Sequence, residues 1–248
     1  MQFDVNNKSS EILVFHTHQG FGDLIVCSPI AHYLSYLFPN KKIFFITRDT
    51  HKKNIKRFIS SNDKIEAVSI PGYPSHSENS VSKEISIVYE WVIENKFSLI
   101  RTVFEKYAHD PDDFWDKSFY EKIGIDYKIK YEFNLFDRNF KNEDLIYKKI
   151  LQSSLSNINE SFAFVHDDPD RGFFINPQTK LKIIKNDKSV DIIDMLGIME
   201  SASEIHMMGS SLLCLAEMAG LPKENQLAFY YSFRNNLYFN NKEKWKII

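Results

Sequence analysis

Cysteine is scarce in this sequence: Cys27 and Cys214 are its two thiols among 248 residues. Each sits in apolar surroundings, which excludes a disulfide framework and points to buried free thiols in a reducing compartment. Metal-ligand spacing is missing as well. No Cys pair, H-E-x-x-H run or calcium-loop pattern is present, and His16 with His18 is the nearest approach to a metal pair, so no metal is expected. A charge excess is also absent, since 31 basic and 33 acidic side chains leave −2. That near balance excludes a global field for nucleic acid or an anionic membrane, so an anionic ligand must be held locally. No apolar run approaches the roughly 20 residues of a spanning helix, and the polar first ten residues lack a signal-peptide core. The expectation is a cytoplasmic protein without a transmembrane segment. A G-x-S-x-G elbow for a serine nucleophile is missing too.

What the chain does hold is apolar residues at 43%, enough for a sizeable core. They come in short runs alternating with amphipathic stretches, as βα units of a parallel sheet require. Strands are predicted at Glu11–His16, Lys42–Thr47, Ile65–Ile70 and Phe97–Phe104. Helices are predicted from about Leu24 to Phe38, around Lys52–Ser60, at Glu84–Asn95 and at Asp113–Lys122. A Pro- and Ser-rich loop from Pro71 to Ser82 is long enough to line a site. After a helix over Lys141–Ser154, the polar run Ser153–Asn159 marks a domain boundary near residue 155. The second alternation predicts strands at Phe162–His166, Leu181–Lys185, Glu204–Met208 and Gln226–Tyr230, with helices at Asp191–Ser201 and Ser211–Ala219. Its roughly ninety residues make a reduced sheet.

Three strand-end loops carry the polar groups. The first is His16-Thr17-His18-Gln19-Gly20-Phe21-Gly22-Asp23, and in an open parallel sheet such a turn lies where ligands bind. Asp23 either faces a cleft or caps the following helix, since Asp is a favoured N-cap. Gly20-Phe21-Gly22 opens like a dinucleotide fingerprint but has Ile25 at its third glycine position; Arg48 and Asp49 are then the residues that would face a ribose. The second loop is His166-Asp167-Asp168-Pro169-Asp170-Arg171-Gly172. Arg171 suits a bidentate grip on a diphosphate, or a salt bridge to its own Asp neighbours. His166 is a candidate donor contact or a satisfied loop histidine. The third is Gly209-Ser210-Ser211 before a helix, offering amides and hydroxyls to a diphosphate, or a plain N-cap. The acidic run His109–Asp113 is a further acceptor-contact candidate, or a solvated helix start.

Gly20-Phe21-Gly22-Asp23-Leu24-Ile25-Val26-Cys27-Ser28-Pro29-Ile30, followed by Phe38-Pro39 before a new strand, resembles the opening of the heptosyltransferase-like family of GT-B glycosyltransferases, glycosyltransferase family 9. The stretch Ala202–Pro222 (ASEIHMMGSSLLCLAEMAGLP) is similar to that family's donor-side strand, turn, helix and Gly-x-Pro. Two departures stand out. Gly209-Ser210-Ser211 replaces the usual Asp-Thr-Gly, and Cys214 replaces a customary His, so the resemblance does not extend to heptose as donor sugar.

The resemblance implies a GT-B-like α/β fold of two Rossmann-type parallel-sheet domains with a cleft between them. Residues 1–155 would form the acceptor-side domain and 156–248 a reduced nucleotide-sugar domain. It also implies an inverting, metal-independent enzyme without cofactor, taking a nucleoside-diphosphate sugar as co-substrate and a glycan or lipid-linked saccharide as acceptor. Asp23 is the expected base, with His16 and His18 as fallbacks. Arg171, Gly209, Ser210, Ser211 and His166 are the expected donor-binding residues. A sugar-nucleotide epimerase or NAD(P)-type enzyme, and a non-catalytic nucleotide- or glycan-binding relative, are the alternatives.

Overall fold

The computed structural model describes residues 11–71, 78–103, 115–157, 159–233 and 242–248. The first ten residues, residues 72–77 of the Pro71–Ser82 stretch and the acidic run at 109–113 lie outside them, and from Glu78 that expected loop is helical. The chain divides into two compact units, Met1–Asp137 and Arg138–Ile248.

In the first unit, strands β1 (Glu11–His16), β2 (Lys42–Arg48), β3 (Ile65–Ile70) and β4 (Ser98–Thr102) form a sheet in the order β3-β2-β1-β4. Every pairing is parallel. Helices α1 (Phe21–Leu37), α2 (Asp49–Ile55) and α3 (Glu78–Asn95) make the crossovers. Ile12, Leu13, Val14 and Phe15 are all buried, so both faces of the central strand are covered and its run reads as continuously apolar. Leu13, Phe15, Ile46, Ile70 and Val88 form one core cluster, with α3 packed on that face. Two short helices, α4 (Lys117–Glu121) and α5 (Ile129–Glu132), follow. Tyr120 of α4 donates to the Val26 carbonyl of α1 at 2.5 Å, fastening α4 to the first half of that helix.

The second unit opens with α6 (Phe140–Ser154). Its sheet is β5 (Phe162–His166), β6 (Lys182–Lys185), β7 (Glu204–Met208), β8 (Leu227–Tyr231) and β9 (Trp245–Ile247), in the order β6-β5-β7-β8-β9, again all parallel. The predicted helix over Asp191–Ser201 divides into a 3-10 turn, Ile192–Met195, and α7 (Leu196–Ser201); α8 (Ser211–Met218) follows β7. The edge strand β9 has no counterpart in the sequence reading.

The division falls at Asp137–Arg138, earlier than the boundary expected near residue 155, and the reason is α6. Arg138 binds Glu143 at 2.5 Å and Glu200 of α7 at 2.8 Å, while Asn142 donates to Asp194 at 2.6 Å. The Ser/Asn run that suggested a linker is the end of α6 and its descent into β5.

Candidate functional site

A doubly wound sheet has its ligand crevice where successive strands depart in opposite directions. In the first sheet that point lies between β1 and β4, because β2 and β3 continue to one side of β1 and β4 returns on the other. The first predicted loop lies there. α1 begins at Phe21, not Leu24, with Gly20 as N-cap and no side-chain cap from that residue. Asp23 therefore stands at the third helical position, and its carboxylate accepts from the Gly20 backbone N–H, the reach-back half of a capping box. Gly20 is needed for this. A Cβ there would collide with Asp23 Oδ2 and lie 3.2 Å from its Cγ. Gln19, just before, takes a left-handed φ of 39° and ties the turn by donating to the His16 carbonyl at 2.7 Å.

His16 ends β1 with its ring fixed on three sides. Its Nδ1 meets Thr102 Oγ1 of β4 at 2.8 Å, and its ring packs on Phe119 of α4 at 4.3 Å between centroids. Its Nε2 lies 3.9 Å from Asp23 Oδ2. That nitrogen is buried and, like Gln19 Oε1, has no hydrogen-bond partner among the described residues. Burial, with His18 nearby as a second repulsive group, depresses the His16 pKa to about 3. His16 is thus neutral in ordinary solution. His18 itself is half-buried in the same turn.

Asp23 is pushed the other way, to about 7, although 19% of its side chain stays open. Burial is the main cause; the Gly20 N–H opposes it, the negative charge of Asp116 adds to it, and Arg48 opposes it. A carboxyl that changes protonation near neutrality suits general-base work. Arg48 does not await a ribose. It is buried at the end of β2 and gripped bidentately by Glu84 of α3, Nε–Oε1 at 2.7 Å and Nη2–Oε2 at 3.1 Å. Ile25, at the absent glycine position, is buried within α1.

Sequence reasoning missed Thr102 and the pair Asp116–Lys130. Thr102 carries no signal beyond its place at a strand end. The pair unites two residues whose separation in sequence hides their contact.

The second sheet reverses between β5 and β7, and the remaining predicted residues lie on the two loops there. After β5, Pro169–Arg171 form a 3-10 turn closed by Gly172 at φ 79°, with Asp168 and Phe173 bridged across it. Arg171 is ion-paired with Asp168 and half-exposed. His166 is largely buried, and its pKa is lowered by that burial against the pull of Asn186, Asp168 and Asp167. After β7, Ser210 is the N-cap of α8 and accepts from Leu213 N at 3.3 Å. Gly209 is buried beside it, and Ser211 is the first helical residue. Among the described residues no group of His, Cys, Asp and Glu is arranged to hold a metal ion, and no helix is long and apolar enough to cross a membrane.

These paired, all-parallel sheets, each with its polar loops at the reversal point, define a GT-B-like architecture. No protein-family model matches the chain, and no curated protein sequence does. Among solved structures it is similar to a glycosyl transferase family 9 protein from Veillonella parvula DSM 2008, at a TM-score of 0.54 and 12% identity, over 100% of this chain and 87% of that one. It is also similar to ADP-heptose LPS heptosyltransferase II of E. coli, at 0.52 and 10%, over 96% of this chain and 90% of that one. At such identities the shared property is the fold.

Proposed function

We propose that the protein is an inverting, metal-independent glycosyltransferase that moves a sugar from a nucleoside-diphosphate sugar to a hydroxyl of a saccharide acceptor. One observation carries this reading: a carboxyl at a sheet reversal point, Asp23, whose proton affinity is raised to about 7. Ionised Asp23 takes the proton of the acceptor hydroxyl as that oxygen bonds to the anomeric carbon. The bond from that carbon to the diphosphate breaks on the opposite face, inverting the centre. The departing diphosphate carries the negative charge. The amides at the start of α8, the Ser210 and Ser211 hydroxyls, Arg171 and His166 are the groups we assign to it.

His16 is not the base in this scheme. A histidine that stays neutral down to about pH 3 is a poor proton acceptor, and its role is to face the carboxylate. A non-catalytic nucleotide-binding relative is the second reading, favoured by the engagement of Arg171 with Asp168 and of Ser210 with its own helix. The test is a thermal-shift panel of nucleotide sugars, because a ligand that binds the native state raises its melting temperature. A transfer assay with each hit follows. Product formation that disappears in Asp23→Asn supports the transferase. A shift without product under any acceptor overturns it in favour of the second reading, and no shift with any donor overturns both.

A further inference from the structure

His16 carries a buried nitrogen that the proposed chemistry does not yet use. Its Nε2 has no hydrogen-bond partner among the described residues, although its side chain is fully buried. Buried polar atoms in folded proteins nearly always find a partner, so this one calls for a group that closes on it. Asp23 Oδ2 stands 3.9 Å away. That is about 1 Å beyond hydrogen-bond reach, a gap that a small turn of the partly open Asp23 side chain removes.

What Nε2 offers Asp23 depends on the other side of the ring. His16 and Thr102 are register partners across β1 and β4, which places Nδ1 2.8 Å from Thr102 Oγ1. That oxygen also lies 3.6 Å from Cys27 Sγ. Burial pushes the Cys27 thiol pKa up, so the sulfur keeps its hydrogen. Thr102 has one hydrogen to give and lone pairs to receive another. With the S–H donating to Oγ1, the Thr102 hydroxyl donates to Nδ1, and the hydrogen of the neutral ring sits on Nε2. The reverse order would spend the Thr102 hydrogen on sulfur, a weak acceptor, and aim a bare Nε2 lone pair at a carboxylate. Only the first order gives Asp23 a donor.

Building on the transferase reading, we propose that His16 is a positioning residue: Thr102 and Cys27 hold it as the Nε2–H tautomer, and Nε2–H donates to ionised Asp23, fixing the carboxylate to receive the acceptor proton. His16 touches no substrate. The row Cys27, Thr102, His16 and Asp23 starts and ends on α1, passing through the ends of β4 and β1. Other groups act on Asp23 from outside the row. They are the Gly20 N–H, Arg48 paired with Glu84, and Asp116 paired with Lys130 at 2.6 Å; His18 lies in the same turn and acts on His16.

The test is 15N NMR of the His16 ring in the full chain, assigned by correlation to its backbone and recorded above the Asp23 midpoint of about 7. The expected state has hydrogen on Nε2 and a bare Nδ1. Hydrogen on Nδ1 overturns the proposal. The Asp23 carboxyl carbon is then titrated by 13C NMR in His16→Gln and His16→Asn. Gln carries an amide N–H out to roughly the reach of Nε2, whereas Asn stops near Nδ1, and the surrounding charges are the same in both. A donor to the carboxylate lowers its midpoint, so the Asn variant should titrate above the Gln variant by about half a pH unit or more. A merely structural ring would leave the two variants alike, and equal midpoints overturn the proposal too. Should either variant fail to fold, the wild-type tautomer decides. Neither readout uses a substrate, so absence of transfer with every donor would sink the transferase reading and leave both measurements standing.

Discussion

Both reversal points bury histidine nitrogens that have no hydrogen-bond partner among the described residues, at His16 and at His166, but they treat their carboxylates in opposite ways. After β1, polar atoms are buried with partners withheld: His16 Nε2 and Gln19 Oε1 have none among the described residues, and Asp23 holds its proton to about pH 7. After β5, charges neutralise one another. Asp167 meets Lys185 at 2.7 Å, Lys188 bridges Asp168 at 2.9 Å and Asp170 at 2.5 Å, and Arg171 closes on Asp168. Although burial alone would raise the Asp168 pKa, Lys188 and Arg171 hold it below the ordinary carboxylate value. The first loop holds a carboxyl that changes protonation near neutrality, whereas the second holds its carboxylates in ion pairs.

The largest test of this contrast is Asp23→Asn. Asn keeps an oxygen for the Gly20 N–H but takes no proton, so turnover should fall by roughly 10² to 10⁴ in steady-state assays. Stability should move the other way. The folded state holds the Asp23 proton to about pH 7, whereas the unfolded chain releases it near 4, so wild-type stability declines as pH rises between those values. At pH 8 the Asn variant should therefore melt higher, by on the order of 2 °C or more. A variant that keeps full turnover would make Asp23 a helix cap alone.

Arg171→Ala probes the opposite loop. If the diphosphate replaces Asp168 on this guanidinium, calorimetric titration should show nucleotide-sugar binding weakened by about 1.5 to 3 kcal/mol, the range for hydrogen bonds to charged groups. Ser210→Ala should weaken it less and cost about 1 kcal/mol of stability through the lost cap. Unchanged affinity in both would remove the second loop from the donor site. Gly20→Ala comes next, because its methyl group meets the Asp23 carboxylate; chemical denaturation should register a loss of about 1 to 3 kcal/mol, typical of overpacking.

The pH dependence of stability separates His16 from Asp23. The folded state resists charging His16 until about pH 3, against 6.5 in the unfolded chain, so its contribution to stability is lost as pH falls through that window. Asp23 contributes the opposite slope over much of the same range. His16→Gln should consequently flatten the acid side of a stability curve, and Asp23→Asn should steepen it. Parallel slopes in the two variants would show that the pair does not titrate as described.

Much of this was legible in the sequence. Short apolar runs located eight of the nine strands among the described residues, most plainly the central ones, which are buried on both faces. The turn at Gly20–Asp23 stood out because two glycines beside a lone acid are unusual between a strand and a helix. The start of α1 was misplaced for a physical reason: Asp serves as N-cap and at the third helical position alike, and only the backbone decides between them. The Asp116–Lys130 and Arg48–Glu84 pairs left no trace, because charged residues read as solvated until their burial is seen. β9 escaped through its brevity, three residues at a sheet edge.

The network around Arg138 has a consequence for dissecting this chain. Fragments cut at the compositional break near residue 155 would strip Glu200 and Asp194 of the partners that α6 and its leading arginine supply. A C-terminal fragment beginning at Arg138 keeps both contacts, and so is the better candidate for study in isolation.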